Sequence, residues 1–172
     1  AAGRVGRLMI VCGKIYLDTN IFILAFENND GVSAALARLI AKGGTAQFFT
    51  TSELTLSELL VRPYRDGNLS AIRSYERLIQ SSPWLQVLPV ARPVLMYAAA
   101  LRSRYKLKLP DAIHVSTALG AGCRQMLTAD LGIQGTYQIP PIGNDEQVEP
   151  WPLTILRPDE FTLASLTESL SA

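Results

Sequence analysis

Short apolar runs alternate with longer segments of helical spacing along most of the chain. The runs predict strands at Ile15–Leu17 and Leu153–Leu156 and over residues 47–51, 84–90 and 124–128. Helical spacing predicts helices over residues 33–41, 54–61, 70–79 and 93–105, and Pro110 is expected to open one more. Strands that alternate with helices indicate an α/β domain with a largely parallel central sheet flanked by helices.

Small and cyclic residues set the expected ends of these segments. Gly43 is expected to end the first predicted helix. Pro63 is expected to stop a later helix, with a turn over residues 64–68 and Ser70 as the cap of the next helix. Residues 135–152 contain four prolines and are predicted to form an extended surface connection.

The length of 172 residues suits one domain with a substantial core, and the chain contains no internal repeat. We predict that this domain spans residues 9–172, with Met9 as the native start. Residues 1–8 have no apolar signal-peptide core and are predicted to be an added or extended N-terminus.

Composition indicates a globular chain and does not by itself select a class of partner. Apolar residues make up 48% and charged residues 18% of the sequence, and the net charge is +1. A near-neutral total is compatible with an acidic site surrounded by basic residues, because the two cancel. No window approaches the roughly 18 apolar residues of a membrane span. Cys12 and Cys123 form no disulfide framework, so a cytoplasmic protein is expected.

Four acidic residues lie where the local pattern ends a strand or opens a helix. They are Asp18, Glu58, Asp111 and Asp130. In parallel α/β sheets, ligands bind beyond the carboxyl ends of the strands, so these acids are expected to share one site. Clustered carboxylates bind hard divalent cations. Enzymes that cleave phosphodiesters commonly use cations bound in this way.

Each acid also has an ordinary structural interpretation. Asp18 fits an Asx-turn or a helix cap after a strand, and Asp130 fits a turn after a strand. Asp111 is favoured by the helix dipole at a helix start. Glu58 completes a capping-box pattern in which it would only satisfy a backbone N–H, and Glu53 competes with it on the same segment. The combination of four acids at these positions is more informative than any one of them.

His114, the only histidine, lies three residues after Asp111 and shares its helix face. A packed or hydrogen-bonded histidine is the preferred interpretation over a base or metal ligand. A basic run precedes Asp111: Arg102, Arg104, Lys106 and Lys108. Two interpretations remain open for this run, a solvated face and a surface that neutralises backbone phosphates.

Four segments together resemble a known family. They are IYLDTNIFI, TTSELTLSELL, KLPDAIHVSTAL and MLTADL, in this order along the chain. The pattern resembles the PIN-domain nucleases, especially the VapC-type toxins of type II toxin–antitoxin pairs. The segment Leu-Pro-Asp-Ala-Ile-His followed by Leu-Thr-x-Asp carries most of the specificity.

The resemblance implies a parallel sheet and a metal-dependent endoribonuclease that uses Mg²⁺ or Mn²⁺. It places catalytic and metal-binding roles on four acids and supporting roles on two polar residues: Asp18, Glu58, Asp111 and Asp130, with Asn20 and Thr128. Family members often have another acid or an aromatic residue soon after the last acid. Here Leu131-Gly132-Ile133 stands there, so one bound metal and two bound metals are both open.

The resemblance also implies a homodimer and a small antitoxin. The antitoxin is expected to insert a cationic side chain among the acids, and Arg suits this role because of its rigid fork. Apolar helical surfaces over residues 72–79 and 95–101 are expected to form the dimer, and the surface over 54–61 to dock the antitoxin.

Other functions remain open at this stage. They are a housekeeping PIN-type RNase, a phosphatase with Asp18 as nucleophile, and a non-catalytic module that binds RNA or a protein partner. A phosphatase of that kind commonly needs a second Asp two residues later, where this chain has Asn20.

Overall fold

The computed structural model describes residues 13–44, 46–138 and 151–170. The predicted N-terminal extension over residues 1–8, Cys12, and most of the proline-rich connection over residues 135–152 lie outside these residues.

Six strands and seven helices are present in the described residues. In chain order they are β1 (Ile15–Leu17), α1 (Thr19–Phe26), α2 (Gly31–Gly43), β2 (Phe49–Ser52), α3 (Glu53–Asp66), α4 (Leu69–Leu78), β3 (Leu85–Leu88), α5 (Arg92–Arg102), α6 (Leu109–Gly120), β4 (Gln125–Leu127), β5 (Thr136–Tyr137), β6 (Leu153–Leu156) and α7 (Glu160–Ser169).

The strands form one sheet in the order β3-β2-β1-β4-β6-β5. All neighbouring pairs are parallel except β5 with β6, which confirms the predicted largely parallel α/β architecture. The chain moves outward from β1 through β2 to β3 and then returns to place β4 on the other side of β1. A crevice is expected beyond the carboxyl ends of strands at such a switch in direction.

Helices cover both faces of the sheet. Ile15 and Leu17 of β1 point into a core shared with α1 to α4 and α7. Tyr16, between them, points to the opposite core, beneath α5 and α6. This alternation follows from the two-residue period of a strand. It brings the Tyr16 side chain under the helix that carries Asp111 and His114.

The predicted stop at Pro63 is wrong, because α3 continues through it to Asp66. Pro63 is buried in the last turn, and α3 continues for three residues beyond it. The helix ends instead at Gly67, which adopts the left-handed conformation (φ 64°) and whose N–H reaches the carbonyls of Pro63 and Tyr64.

Two predicted caps are also replaced. Asn68, rather than Ser70, caps α4 by accepting from the N–H of Ala71 (3.0 Å). Ser52 caps α3 by accepting from the N–H of Leu54 (3.1 Å), so the capping-box interpretation of Glu58 is wrong. The side chain of Glu58 therefore does not cap α3.

Three elements were not predicted from sequence. Helix α1 begins directly after Asp18, where the sequence had indicated a turn or a helix cap but no defined helix. Helix α7 packs Leu163 and Leu166 into the core, and β5 is only two residues long. Among the described residues, no helix combines the length and apolar character needed to cross a membrane.

Candidate active site

Asp18 follows β1 directly, and hydrogen-bond donors hold both of its carboxylate oxygens. Only 4% of the residue is exposed. Oδ1 accepts from the N–H of Thr19 (2.8 Å), which caps α1. Oδ2 accepts from Asn20 Nδ2 (2.7 Å) and from the Thr128 hydroxyl (2.5 Å). The ordinary capping role is therefore present, but two further donors orient the oxygen that capping does not use.

Asn20 and Thr128 join the carboxyl ends of β1 and β4. Asn20 Nδ2 donates to Thr128 Oγ1 (3.2 Å), and Asn20 Oδ1 accepts from the N–H of Ala129 (2.8 Å). Thr128 Oγ1 also accepts from the N–H of Asp130 (3.0 Å). These contacts connect Asp18 with the loop that carries Asp130.

Glu58 reaches the same edge of the sheet from α3. Its Oε2 accepts from the hydroxyl of Thr19 and, at 2.9 Å, from His114 Nε2. Burial opposes ionisation of this half-buried carboxyl, but the hydrogen bonds from His114 and Thr19 outweigh it, and the pKa of Glu58 is lowered. The competing Glu53 is exposed in the first turn of α3. Glu58 is therefore the acid of α3 that the fold brings beside Asp18.

Asp111 lies in the first turn of α6, close to other carboxylates. Burial raises the pKa of Asp111, the charges of Asp130 and Asp18 raise it further, and Lys108 only partly offsets them. A Cβ added to Gly132 would lie 3.1 Å from Asp130 Oδ1 and 3.7 Å from Asp111 Oδ2. Both carboxylates therefore border Gly132, and the negative charge of Asp111 is only partly offset.

Arg157, just after β6, holds the loop that carries Asp130. Its Nη1 donates to the carbonyls of Thr128 (3.0 Å) and Asp130 (2.7 Å), and its Nη2 donates to the carbonyl of Ile133 (2.6 Å). Sequence reasoning missed this residue, because nothing local to Arg157 signals three carbonyl partners more than twenty positions away. The only available signal was a lone arginine directly after a predicted strand.

The donor set fits a hard divalent cation. Asp18, Glu58 and His114 each offer one ligand atom, and these atoms all lie within 4.8 Å of one another. Asp111 and Asp130 add carboxylates next to this group, and the raised pKa of Asp111 marks negative charge that a cation would neutralise. Oxygen ligands favour Mg²⁺ or Mn²⁺, whereas Cys123, a soft ligand, is buried in the core beneath α6.

His114 is buried and hydrogen-bonded at both ring nitrogens, as the preferred sequence interpretation had it. The basic run is exposed and extends from the end of α5 over the connection to α6: Arg102, Arg104, Lys106 and Lys108. The positive charge of its last member, Lys108, offsets part of the rise in the pKa of Asp111. Lys108 is therefore the member of the run that interacts with the acids.

Comparisons with known proteins agree with this architecture. The family model described as "PIN domain" matches residues 15–137. A toxin–antitoxin complex from Klebsiella pneumoniae is similar in structure, with a TM-score of 0.57, 19% identity, and coverage of 86% of this chain and 99% of that chain. VapC20 of Mycobacterium tuberculosis, a sarcin–ricin loop cleaving toxin, gives a TM-score of 0.53 and 20% identity over 66% of this chain and 87% of that chain.

A third similar structure is VapBC2 from Rickettsia felis, bound to a DNA fragment from its promoter. It has a TM-score of 0.54 and 16% identity, and covers 83% of this chain and 98% of that chain. At such identities these likenesses establish a shared fold. A comparison with curated protein sequences found no match. Because the family model covers well over half of the 172 residues, the chain belongs to the PIN domain family.

Proposed function

We propose that this protein is a metal-dependent endoribonuclease and the toxin of a toxin–antitoxin pair, acting in the cytoplasm. The observation that carries the proposal is the convergence of four carboxylates from separate elements beyond the carboxyl ends of β1, β2 and β4: Asp18, Glu58, Asp111 and Asp130. Membership of the PIN domain family and the likeness to VapC proteins support it.

The proposed chemistry assigns different tasks to the residues of the site. Asp18 and Glu58, both fixed by hydrogen bonds, would hold a Mg²⁺ or Mn²⁺ ion, with Asp111 and Asp130 completing the oxygen ligands. When bound, such an ion lowers the pKa of water and offsets charge on the phosphoryl group. The basic run would draw the RNA backbone towards the exposed side of the acids.

The phosphatase alternative is disfavoured by the surroundings of Asp18. The residue two positions after Asp18 is Asn20, and a side-chain amide is neither an acid nor a base at neutral pH. Asn20 cannot replace a second aspartate as acid or base, because its amide is engaged with Asp18 and with the N–H of Ala129. Phosphodiester cleavage needs no protein nucleophile and is compatible with both residues as they stand.

Cleavage of a mixed RNA pool by the purified protein tests the proposal. We expect internal cuts with Mg²⁺ or Mn²⁺, loss of cleavage after thorough chelation with EDTA, and recovery when either metal is restored. A phosphatase would release inorganic phosphate from monoesters without internal cuts. A non-catalytic module would bind RNA and leave it intact, and persistent cleavage after chelation would contradict the mechanism.

The proposed antitoxin rests on the family and on the similar toxin–antitoxin structures. We propose that it places an arginine among the four acids, where the guanidinium replaces the charge of the metal. The expected docking surface over residues 54–61 is largely wrong, because Val61 is its one exposed apolar residue and Leu59 is buried in the core. Phe26 at the end of α1 is also exposed and apolar. A groove nearby has a mixed lining that suits an amphipathic helix: Phe26, Pro63, Tyr75 and Leu78 are joined there by Glu27, Arg62, Asp66, Asn68 and Ser74.

Co-expression with the neighbouring open reading frame tests this part of the proposal. Rescue of growth together with suppressed cleavage would support an antitoxin. Absence of toxicity, with no neighbouring product that binds, would favour a housekeeping PIN-type RNase instead.

A homodimer is proposed as well, but the structure changes the surface expected to form it. The expected surface over residues 72–79 is wrong, because Ile72, Tyr75 and Ile79 are buried in the core of the chain. On α5, Leu95 and Met96 remain exposed. We expect a dimeric mass by light scattering at micromolar concentration, and a monomeric mass for a Met96→Glu variant.

A further inference from the structure

A buried line of hydrogen bonds runs from β1 through α6 to Glu58. Tyr16 is fully buried, and His114 is 2% exposed. The Tyr16 hydroxyl and His114 Nδ1 are 2.7 Å apart, and His114 Nε2 lies 2.9 Å from Glu58 Oε2. The acid at the end of this line has a side chain that is 33% exposed. Hydrogen bonds therefore connect two buried groups, the Tyr16 hydroxyl and the His114 ring, to Glu58 of the candidate site.

The direction of these hydrogen bonds follows from their chemistry. Glu58, whose pKa is lowered, is ionised at neutral pH and can only accept, so His114 Nε2 must carry the hydrogen. In a neutral imidazole, Nδ1 is then an acceptor and the Tyr16 hydroxyl donates to it. Burial, followed by the charge of Asp18, raises the pKa of Tyr16 well above its usual range, which keeps the phenol protonated as a donor.

We propose that His114, with its tautomer set by Tyr16, is a positioning residue that holds Glu58 beside Asp18 for metal binding. This inference rests on the proposed function. Glu58 stands on the long α3 helix, and its partly exposed side chain has rotamer freedom that a fixed donor would restrict. His114 Nε2 also lies 3.6 Å from Asp18 Oδ1, so its N–H group sits between the two carboxylates.

Direct ligation of metal by His114 is the competing role. The His114, Asp18 and Glu58 ligand atoms are close enough to share an ion. Ligation, however, requires a free lone pair on Nε2, so the hydrogen would have to move to Nδ1 and the Tyr16 hydroxyl would have to accept instead. The hydrogen bond to ionised Glu58 would then be lost. A carboxylate ligand supported by a fixed donor is the arrangement that these contacts favour.

Three variants test the hydrogen bond between His114 and Glu58 separately from the one between Tyr16 and His114. In His114→Gln, the side-chain amide falls near the position of Nε2 and keeps a donor for Glu58. In His114→Asn, the shorter amide falls near Nδ1 and loses that donor while it still faces Tyr16. Tyr16→Phe removes only the hydroxyl at the far end. Because Tyr16 and His114 are buried, thermal unfolding of each metal-free variant serves as the control for folding.

The measurement is Mn²⁺ affinity, read from the electron paramagnetic resonance signal of free Mn²⁺. We expect His114→Asn to weaken binding by about 10- to 100-fold, as is typical for outer partners of metal ligands. Tyr16→Phe should weaken it less, and His114→Gln should stay nearer to wild type than to His114→Asn. Electron spin echo spectra of wild-type protein loaded with Mn²⁺ should show no directly bound nitrogen.

Several outcomes would overturn the inference. One is unchanged Mn²⁺ affinity in His114→Asn and Tyr16→Phe, with only a lower unfolding midpoint, since that marks a purely structural histidine. Another is a bound-nitrogen signal in wild type that His114→Gln abolishes, since that marks a ligand. Both leave the proposed nuclease intact if wild type binds Mn²⁺ and cuts RNA. Failure of wild type to bind Mn²⁺ would overturn the function and this inference together.

Discussion

The four acids form two pairs with opposite surroundings. The inner pair, Asp18 and Glu58, is surrounded by donors, and its members accept hydrogen bonds from five groups in all. The outer pair, Asp111 and Asp130, lies nearer to solvent with few donors. Hydrogen bonds lower the pKa of Glu58, whereas burial and neighbouring carboxylates raise the pKa of Asp111.

The difference indicates that the two pairs depend on a cation to different degrees. Carboxylates of the inner pair are satisfied by the protein itself and keep their positions without metal. In the outer pair, the charge of Asp111 is partly uncompensated by the protein, so a bound cation would relieve it. Removing a charge from each pair should therefore change stability in opposite directions while lowering activity in both cases.

The largest effect is expected from Asp18→Asn in the inner pair. The variant should keep the fold but lose more than about 100-fold in cleavage rate, above what outer partners of a ligand usually carry. The amide nitrogen that replaces one carboxylate oxygen is itself a donor and would face one of the three donors to Asp18. The lost hydrogen bond costs about 1–3 kcal/mol of unfolding free energy. RNA cleavage and chemical denaturation measure the two effects.

Asp30→Asn is the matched control for this variant. Asp30 caps α2 on the surface, and asparagine caps helices equally well. Cleavage by Asp18→Asn at the rate of Asp30→Asn, in a clean preparation, would remove Asp18 from the site.

A smaller effect is expected when the hydrogen bonds that hold the loop carrying Asp130 of the outer pair are removed. Arg157→Ala removes three hydrogen bonds to loop carbonyls, so Asp130 should lose its fixed position and cleavage should fall by about 10- to 100-fold. Arg157→Lys should recover only part of this, since one ammonium cannot reproduce the fork of a guanidinium. Exposed Arg38 on α2 provides the control, Arg38→Ala. Equal cleavage rates for the two alanine variants would contradict the role of Arg157.

The smallest effect, and the one with the opposite sign, is expected for stability of metal-free Asp111→Asn. A carboxyl with a raised folded pKa contributes stability that is present below its ordinary pKa and is lost as the pH rises through the folded value. Ionised Asp111 therefore destabilises the metal-free protein at neutral pH. Its removal should raise the unfolding midpoint, by no more than a few degrees because solvent screens the charge of this partly exposed carboxyl.

Acidification and added metal sharpen this test. The gain in Asp111→Asn should shrink as the pH falls towards ordinary carboxyl values, and saturating Mn²⁺ should reverse its sign because a ligand is missing. Asp159→Asn, in the cap of α7, should give no such gain, because hydrogen bonds led by the N–H of Thr162 lower the pKa of Asp159. An unfolding midpoint below that of the wild type for metal-free Asp111→Asn at neutral pH would contradict the distinction between the two pairs.

Much of the fold was predictable because its signals are local. The bounds of β1 and β6 were predicted from apolar runs alone, and the alternation of strands and helices indicated the parallel sheet. Errors arose where tertiary packing outweighed a local preference. Helix α3 continues through Pro63 because that residue is buried in its last turn, and α1 forms where polar residues favoured a turn.

The sequence by itself determined which acids were candidates, since each stands at a strand end or within a helix of recognisable pattern. Only the tertiary structure decided what surrounds them. The donors to Glu58 come from residues 39 and 56 positions away, and Tyr16 meets His114 across 98 positions. The carbonyls bound by Arg157 lie 24 to 29 positions before it. Local patterns report backbone conformation and burial, whereas the pKa of a carboxyl and its fixed orientation depend on partners that the sheet brings together.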